Sequence, residues 1–334
     1  MSPAEDPAAA DHAALFRLEF GGASGWGHLV RCGALAAELR QRGWRCDLWT
    51  TSESSGVPAA LREPFTQVVP FQAGAPVPRG YGWLVADNYA VSDALLGAWR
   101  GTFRGRILAI DDEARRQLTG ADLVLNARPG IDASAYPPGP VMLLGERYAL
   151  LRPGLARPHH PGWVAPTGTM PVLVMLGGTD PAGLTPVVLD ALADLEAARL
   201  VPVVVQPARR ANACGETPAG RSFESVVTLA DLDERELAGW AGCCRVAVSA
   251  AGGTLFELAA LQLPFVSIVV AENQRAFARQ IEQRWGMPCV ENGPGLGAAL
   301  RQALRGLLAR PDHQRAAPVI DFQGAVRVAD AMGA

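Results

Sequence analysis

Lysine is absent from this chain of 334 residues, and all 30 of its basic residues are arginine. Schiff-base chemistry at a lysine amine and the lysine of a Walker-type phosphate loop are therefore excluded. The formal net charge is only −3, so the chain has no general attraction to nucleic acid or to an acidic membrane surface. A composition of 49% hydrophobic and 19% charged residues is typical of a globular protein.

Several further features are missing. The six cysteines form no Cys-x-x-Cys pair, which predicts reduced thiols in a cytoplasmic protein. No run approaches the ~20 apolar residues of a membrane span. The alanine-rich start lacks the basic and apolar regions of a signal peptide. Scattered histidines and adjacent carboxylates do not suggest a metal shell. We expect a cytoplasmic protein without metal, cofactor, nucleic-acid partner or stable membrane insertion, as a monomer or weak oligomer.

Predicted strands and helices alternate along most of the chain. Residues 1–14 read as a flexible N-terminus, and a first α/β domain is expected over residues 15–152. Residues 153–170 are rich in proline and glycine and are interpreted as a linker. The alternation resumes over residues 171–334, where a second domain is expected. This pattern predicts two doubly wound α/β domains.

The turn Gly25-Trp26-Gly27-His28 precedes a helical pattern over residues 28–42. Glycines at 25 and 27 would let a ligand approach the backbone closely. The start of a helix disfavours a cationic imidazole, so we expect His28 to be neutral and able to accept a proton. His28 is therefore a candidate general base for water activation, with helix capping or packing as the structural alternative.

Two short predicted strands end in carboxylates, one at Asp87, followed by Tyr89, and one at the pair Asp111 and Asp112. Ligands of doubly wound folds bind outside the carboxyl ends of the strands. These carboxylates and the Tyr89 phenol could orient His28, hold sugar hydroxyls or assist proton transfer, with Asp87 and Tyr89 as the stronger candidates. Helix capping is the alternative for each aspartate.

The turn Ala251-Gly252-Gly253-Thr254 lies between a predicted strand and a predicted helix. It would present free backbone N–H groups and the positive end of the helix, which together suit an anion such as a diphosphate. Glu257 lies one turn into the helix, where a carboxylate can meet a ribose hydroxyl. A tight turn without a ligand is the alternative.

A second glycine turn follows the apolar run at 171–176 and consists of Gly177, Gly178, Thr179 and Asp180. With the other glycine turns it indicates two nucleotide-fold halves that face a shared cleft. Asn273 and Gln274 end a later strand, and we expect them to face phosphate or sugar beside backbone groups of residues 268–270 that could meet a base edge. Ordinary helix capping by Asn273 is equally compatible with the sequence.

These motifs occur in one order, from about residue 14 to the end: Gly25-x-Gly27-His28-x-x-Arg31, Asp87-x-Tyr89, Asp111-Asp112, Tyr148-Ala149-Leu150-Leu151-Arg152, Gly177-Gly178-Thr179-Asp180, Gly252-Gly253-Thr254-x-x-Glu257, Glu272-Asn273-Gln274 and Asp321-x-x-Gly324. The string resembles the UDP-2,4-diacetamido-2,4,6-trideoxy-β-L-altropyranose hydrolases of pseudaminic acid biosynthesis. That family is related to spore-coat polysaccharide proteins and to MurG-like glycosyltransferases.

The resemblance implies a GT-B-like fold, in which two Rossmann-like domains face a cleft and UDP is held mainly by the C-terminal domain. It implies metal-independent hydrolysis at the anomeric carbon, with release of UDP. His28 would then activate or position the water, with Asp87 and Tyr89 near the sugar. The turn at 252–254 would face the diphosphate and Glu257 the ribose.

Without lysine, Arg31 and Arg275 are the candidate mobile cations for the phosphates. Arg17-x-Glu19 stands where the family usually has Arg-x-Asp, and Gly21-Gly22 and Ser24 also depart from its pattern. These departures are expected to reshape the sugar side of the pocket and to leave the UDP side unchanged.

Two alternatives remain open. One is a glycosyltransferase on the same scaffold, which passes the sugar from UDP to an alcohol acceptor. Such enzymes often carry an apolar or basic acceptor face, for which Leu61, Phe65 and Phe71 give only a weak signal. The other is a non-catalytic nucleotide-sugar-binding protein, which fits poorly with an intact His28.

Overall fold

The computed structural model describes residues 10–21, 25–52, 57, 59–177, 180, 182–195, 199–206, 223, 225–311 and 317–334. The chain divides into two compact units. Unit 1 comprises Met1–Arg152 and Phe322–Ala334, and unit 2 comprises Pro153–Asp321.

Thirteen strands lie in the described residues: β1 Ala13–Leu18, β2 Arg45–Thr50, β3 Val68–Pro70, β4 Trp83–Asp87, β5 Arg106–Ile110, β6 Leu123–Asn126, β7 Val141–Leu144, β8 Met170–Met175, β9 Leu200–Val205, β10 Val227–Leu229, β11 Val246–Ala250, β12 Phe265–Val269 and β13 Cys289–Glu291. The α-helices of the same residues are α1 Gly27–Gln41, α2 Ala59–Arg62, α3 Asp93–Thr102, α4 Thr185–Ala193, α5 Glu234–Cys243, α6 Thr254–Ala260, α7 Arg275–Trp285, α8 Leu296–Leu308 and α9 Gly324–Met332.

Both units contain one parallel sheet. The strand order is β3-β2-β1-β4-β5-β6-β7 in unit 1 and β10-β9-β8-β11-β12-β13 in unit 2. The order therefore reverses between β1 and β4 in the first sheet and between β8 and β11 in the second. Ligands of doubly wound folds bind outside the carboxyl ends of the strands at such a switch point.

Strand β1 shows how the sequence builds the centre of unit 1. All six of its residues are buried, as expected for a parallel strand that is covered on both faces. Ala14, Phe16 and Leu18 belong to the core layer that contains α1. Ala13 and Leu15 belong to the layer on the other face.

The expected flexible N-terminus of residues 1–14 is too long by two residues. Strand β1 already begins at Ala13, so residues 13 and 14 are part of the fold. Residues 1–9 lie outside the described residues.

Helix α1 places the predicted functional residues. Its buried face includes Leu29, Cys32, Leu35 and Leu39, at the spacing of one helical stripe. Gly43 follows the helix with φ 84°, a left-handed conformation that suits glycine after a helix end. The burial of this face sets which residues of the first turns point toward the carboxyl ends of the strands.

The C-terminal helix belongs to unit 1, which corrects the expected domain of residues 171–334. Helix α9 packs on α1, and its residues Val328 and Ala329 are fully buried in the same core layer. Arg327 donates a hydrogen bond of 2.8 Å to the Arg147 carbonyl oxygen. The apolar pattern at the end of the sequence predicts a helix there, but it does not show which of the two sheets that helix covers.

The expected linker of residues 153–170 is also corrected at its start. Pro153–Ala156 form a 3₁₀ turn in unit 2, in which Leu155 is buried. The Gly154 N–H donates to the Glu234 carboxylate at 2.7 Å, and the His159 N–H donates to the Arg235 carbonyl at 2.8 Å. These contacts attach the segment to α5, because its proline-rich backbone still has N–H groups to satisfy.

Two further expectations concern the whole chain. In the part of the chain that the structure describes, no helix has both the length and the apolar character needed to cross a membrane. The cysteines found there are all free thiols, namely Cys32, Cys46, Cys243, Cys244 and Cys289. Cys214 lies outside the described residues.

A glycine substitution tests the docking of α9. A Cβ atom at Gly324 would lie against the Ala149 backbone, whereas one at Gly97 in α3 would meet nothing within 4 Å. We expect Gly324→Ala to lower the free energy of unfolding by about 1–3 kcal/mol, as overpacking does. Gly97→Ala is the control and should raise it by up to about 1 kcal/mol. Chemical denaturation measures both, and equal stabilities would contradict the docking of α9 on unit 1.

Candidate functional site

His28 and Asp87 meet at the switch point of unit 1. His28 is the second residue of α1, which follows β1, and only 8% of it is exposed. Asp87 is the last residue of β4 and is fully buried. Leu18 at the end of β1 pairs with Asp87 in the sheet. Neighbouring parallel strands therefore bring together two residues that are separated by 59 positions.

The hydrogen bond between these residues defines the tautomer of His28. Nδ1 of His28 lies 2.8 Å from Oδ1 of Asp87, and an ionised carboxylate can only accept. The Arg31 terminal nitrogen 3.2 Å from Nδ1 already donates to Asp87 and Asp112. Nδ1 therefore carries the hydrogen that it donates to Asp87. In the neutral ring, Nε2 is then left with a lone pair that can accept a proton.

Arg31 joins two carboxylates. Its Nε donates to Asp87 at 2.7 Å, and its two terminal nitrogens donate to Asp112 at 2.7 and 2.8 Å. Burial alone would lower the pKa of Arg31, but the charges of Asp112 and Asp87 raise it above its usual value. Burial alone would raise the pKa of Asp87, but the charges of Arg31 and His28 hold it well below its usual value. Both carboxylates and the guanidinium are therefore charged at neutral pH.

The sequence suggested Arg31 as a mobile cation for the phosphates. In the structure its side chain is instead part of an ion-pair network. Its guanidinium is held by Asp87 and Asp112, and it lies within a group of net negative charge when His28 is neutral. A cation that two carboxylates already neutralise attracts a phosphate weakly. Arg275, the other candidate, forms ion pairs with Glu272 at 3.0 Å and Glu291 at 2.6 Å.

Tyr89 lies beside the imidazole. Its hydroxyl donates to Asp112 at 3.0 Å, and its ring contacts the His28 ring edge-on with centroids 5.1 Å apart. Burial of the hydroxyl and the charge of Asp112 raise the pKa of Tyr89. Tyr89 is therefore a hydrogen-bond donor and not a base at neutral pH. Its side chain is nevertheless accessible, since 46% of the residue is exposed.

Cys32 was not among the predicted site residues, and Asp112 was considered only as one of the two carboxylates that follow β5. The Cys32 thiol donates to Asp87 at 3.3 Å. Asp112 follows β5, the strand next to β4, so its position in the order of strand ends was the available signal. Asp111, its neighbour, turns to a separate network in which Arg116 and Tyr136 both donate to it at 2.7 Å. The two adjacent aspartates therefore belong to different networks.

The glycine turn before His28 leaves open space. Gly25 has φ 62° and its carbonyl accepts a 2.7 Å hydrogen bond from the Gly21 N–H. A Cβ atom on Gly27 would meet nothing within 4 Å. Among the described residues the space beside Gly27 is therefore open, and a ligand contact at Gly25 and Gly27 stays a prediction. Gly22 and Ser24 lie outside the described residues.

The pair Arg17 and Glu19 is tied to its neighbours. A terminal guanidinium nitrogen of Arg17 lies 2.6 Å from a carboxylate oxygen of Glu19. The guanidinium carbon is 3.7 Å from the centre of the Phe71 ring. Glu19 also accepts hydrogen bonds from the hydroxyls of Thr50 at 2.9 Å and Ser52 at 2.6 Å. The longer glutamate therefore connects the ends of β1 and β2.

In unit 2 the turn at 251–254 lies at the switch point. It follows β11 and begins α6, next to the end of β8. The Ala251 N–H donates to the Ile268 carbonyl and the Gly252 N–H donates to the Ala250 carbonyl, both at 2.8 Å. Among the described residues, no hydrogen bond uses the N–H groups of Gly253 and Thr254. These two donors begin the helix and are available to an anion.

Gln274 faces this turn. Its amide oxygen accepts a 3.0 Å hydrogen bond from the Val270 N–H, which orients the amide nitrogen. That nitrogen lies 4.0 Å from where a Cβ of Gly252 would be. Asn273 is exposed on the 3₁₀ turn Glu272–Gln274. The Val270 N–H already donates to Gln274 and the Ile268 carbonyl accepts from the Ala251 N–H, and a contact between the backbone of residues 268–270 and a base edge stays a prediction.

The remaining predicted residues of unit 2 have mixed outcomes. Glu257 lies on α6 and is buried, with 7% exposure. Gly177 follows β8 with φ 81°. Asp180 caps α4, because its carboxylate accepts hydrogen bonds from the N–H groups of Leu184 at 2.9 Å and Thr185 at 3.0 Å. Gly178 and Thr179 lie outside the described residues. The described residues contain no group of three or more His, Cys, Asp or Glu side chains that could hold a metal ion.

No protein-family model and no curated protein sequence matches the chain. Solved structures share its fold. MurG of Acinetobacter baumannii covers 96% of this chain and 99% of its own, with a TM-score of 0.65 and 15% identity. For the calicheamicin glycosyltransferase CalG4 the shares are 96% and 97%, the TM-score is 0.62 and the identity is 13%. UDP-GlcNAc 2-epimerase from Neisseria meningitidis, bound to UDP-GlcNAc, covers 96% of this chain and 98% of its own, with a TM-score of 0.59 and 8% identity.

Such low identities show a shared fold alone. The predicted fold class, a GT-B-like α/β protein with two Rossmann-like doubly wound domains, is confirmed by these similarities and by the two parallel sheets.

Glu19 predicts a pH dependence of the stability of unit 1. Burial alone would raise its pKa, but hydrogen bonds from Ser52 and Thr51 and the charge of Arg17 lower it from 4.5 to about 2. A carboxyl group with a lowered pKa in the folded state stabilises the fold above its unfolded pKa. That stabilisation is lost as the pH falls through the window between these two values.

We therefore expect Glu19→Gln to lose less free energy of unfolding than the wild type between pH 7 and pH 3. Urea denaturation at both pH values measures the difference. An equal loss in the two proteins would show that the carboxylate of Glu19 does not contribute to the pH dependence.

Proposed function

We propose that this protein is a nucleotide-sugar hydrolase. It uses water to cleave the anomeric C–O bond of a UDP-linked 2,4-diacetamido-2,4,6-trideoxyhexose and releases UDP and the free sugar, as in pseudaminic acid biosynthesis. The observation that carries the proposal is the 2.8 Å hydrogen bond from His28 to the buried Asp87, which leaves Nε2 as a proton acceptor at a switch point. The order of the motifs supports the substrate class. So does the shared fold, since the similar structures include one bound to UDP-GlcNAc and one bound to UDP.

Unit 1 supplies the base in this proposal. As the oxygen of water bonds to the anomeric carbon, its proton passes to Nε2 of His28. The electron pair of the breaking C–O bond leaves with UDP. Asp87 holds the ring by Nδ1 and stabilises the imidazolium that forms, as the aspartate of a catalytic triad does. Tyr89, which stays protonated, is available to contact the sugar.

Unit 2 supplies the nucleotide site. The free N–H groups of Gly253 and Thr254, with the amide nitrogen of Gln274, are donors for the diphosphate. They would stabilise the negative charge that develops on the β-phosphate as UDP leaves, without the need for a lysine. Asn273 would face phosphate or sugar, and the Glu257 carboxylate would accept from a ribose hydroxyl.

Transfer to an acceptor is the second candidate, because glycosyltransferases are among the structures of similar fold. The apolar residues that could have formed a lipid-acceptor face are turned inward. Phe65 is buried against Phe16, with ring centroids 5.4 Å apart, and Leu61 packs against the same core layer. Phe71 packs on Trp49 and is covered by the Arg17 guanidinium. This arrangement gives no support to a lipid-acceptor face at these three residues.

The reaction itself is tested by UDP release. The protein is incubated with UDP-activated diacetamido sugars, without acceptor or added metal, and with UDP-GlcNAc as a comparison substrate. Release of UDP from a diacetamido sugar is expected. Release only after an alcohol acceptor is added would instead establish the transferase.

Removal of the imidazole should separate catalysis from binding. We expect His28→Ala to lower kcat by about 10²–10⁴-fold, the usual contribution of a general base. The Kd for UDP should stay unchanged, since the nucleotide donors lie in unit 2. His160→Ala is the matched control, because His160 is an exposed histidine of unit 2. An unchanged kcat in His28→Ala would remove the base role.

The diphosphate turn is tested by a single methyl group. A Cβ atom at Gly253 would meet nothing within 4 Å, so Gly253→Ala should fold normally. The methyl group would occupy the space beside the free N–H groups, and we expect the Kd for UDP to rise about 10-fold or more, equivalent to about 1.4 kcal/mol. Gly242→Ala in α5, where the added Cβ also meets nothing, is the control. Calorimetric titration with UDP measures both, and equal affinities would place the diphosphate elsewhere.

A further inference from the structure

The charges around His28 do not cancel. Arg31 is the cation of the cluster, and Asp87 and Asp112 are its two carboxylates. With a neutral imidazole the cluster therefore has a net charge of −1. When the imidazole takes up a proton, the net charge becomes zero. The surroundings of His28 are thus in electrostatic balance in the protonated state.

Asp87 alone does not create this balance. Arg31 binds Asp87 through Nε at 2.7 Å and through a terminal nitrogen at 2.5 Å. Such a two-point contact largely cancels the charge of the carboxylate that touches the imidazole. An isolated Asp87–Arg31 pair would be neutral, and it would stabilise an imidazolium only weakly.

Asp112 supplies the missing negative charge. It binds the adjacent edge of the same guanidinium, with contacts of 2.7 and 2.8 Å, and shares one terminal nitrogen with Asp87. It also accepts the Tyr89 hydroxyl at 3.0 Å, and the Tyr89 ring lies against His28. Asp112 therefore reaches His28 through two intermediaries. Burial alone would raise the pKa of Asp112, but the charge of Arg31 lowers it, so the carboxylate is ionised at neutral pH.

We propose that Asp112 is a positioning residue, whose charge offsets that of Arg31 and so enables the Asp87–His28 pair to hold the proton taken from the substrate water. The proposal deepens the proposed function and rests on it. The groups that face the imidazole come from three elements: Asp87 and Tyr89 from the end of β4, Arg31 from α1, and Asp112 from the end of β5 through its contacts. The Cys32 thiol, which contacts Asp87, completes the cluster.

A cycle of charge variants tests this proposal. Asp112→Asn brings the cluster with neutral His28 to zero, and Arg31→Gln brings it to −2. The double variant returns it to −1, the wild-type value. Because a negative charge favours the imidazolium and a positive charge disfavours it, we expect the His28 imidazole to lose its proton at lower pH in Asp112→Asn than in the wild type and at higher pH in Arg31→Gln. In the double variant the midpoint of this titration should return close to that of the wild type.

NMR of the imidazole nitrogens measures the titration, and His28→Gln identifies the resonance among the five histidines. Asp112→Glu, which keeps the charge, should keep the wild-type midpoint. Asp122→Asn, which removes a carboxylate paired with Arg100 at 2.8 Å, is the remote control and should also keep it. If Arg31→Gln does not fold, the comparison of Asp112→Asn with Asp112→Glu still shows whether the charge of Asp112 acts on His28.

The same proteins are assayed for UDP release across pH. The acid limb of the profile should move to lower pH in Asp112→Asn and recover in the double variant, with little change in KM. An unmoved midpoint in Asp112→Asn, or equal shifts for Asn and Glu at this position, would overturn the role of Asp112. The titration needs no substrate, so a lack of UDP release in every protein would overturn the proposed function and leave the titration result unaffected.

Discussion

The buried carboxylate of Asp87 is the group on which the arrangement in unit 1 depends. It is fully buried, and an ionised carboxylate without partners costs several kcal/mol to bury. Its partners are His28, Arg31 and Cys32, which lie at positions i, i+3 and i+4 of α1. These positions share one face of a helix. One helix face therefore satisfies the carboxylate and, in doing so, fixes the orientation of the imidazole.

The parallel sheet explains why this contact can form. Strands β1 and β4 are neighbours because the strand order reverses between them, and both end at the same edge. The helix after β1 and the carboxylate at the end of β4 are thus brought together by the sheet. Unit 2 repeats the order, which places the turn after β11 beside the end of β8. In each unit the candidate site lies where the sheet leaves backbone and polar groups open to a ligand.

Part of the site could be predicted from local pattern. The glycines at 25 and 27, the helix after them and the carboxylate that ends β4 each have a signature within a few residues. The carboxylates that follow β5 could be predicted as well, but the sequence did not show which of Asp111 and Asp112 contacts the site. The two residues are adjacent and identical in type, and only the packed structure shows that Asp111 contacts Arg116 while Asp112 contacts Arg31. The sequence also suggested a phosphate role for Arg31, since it contained no sign of how many carboxylates would surround it.

The sequence by itself determined the alternation of strands and helices, the glycine turns at the ends of particular strands, and the absence of any lysine for phosphate or imine chemistry. These properties follow from local spacing and residue type, because the period of apolar residues and the freedom of glycine act over a few positions. The tertiary structure decided which charges meet. Arg31 contacts Asp87 and Asp112 across 56 and 81 positions. It also decided that α9 covers unit 1. Such contacts depend on strand order and on burial, which many sequence-distant residues establish together.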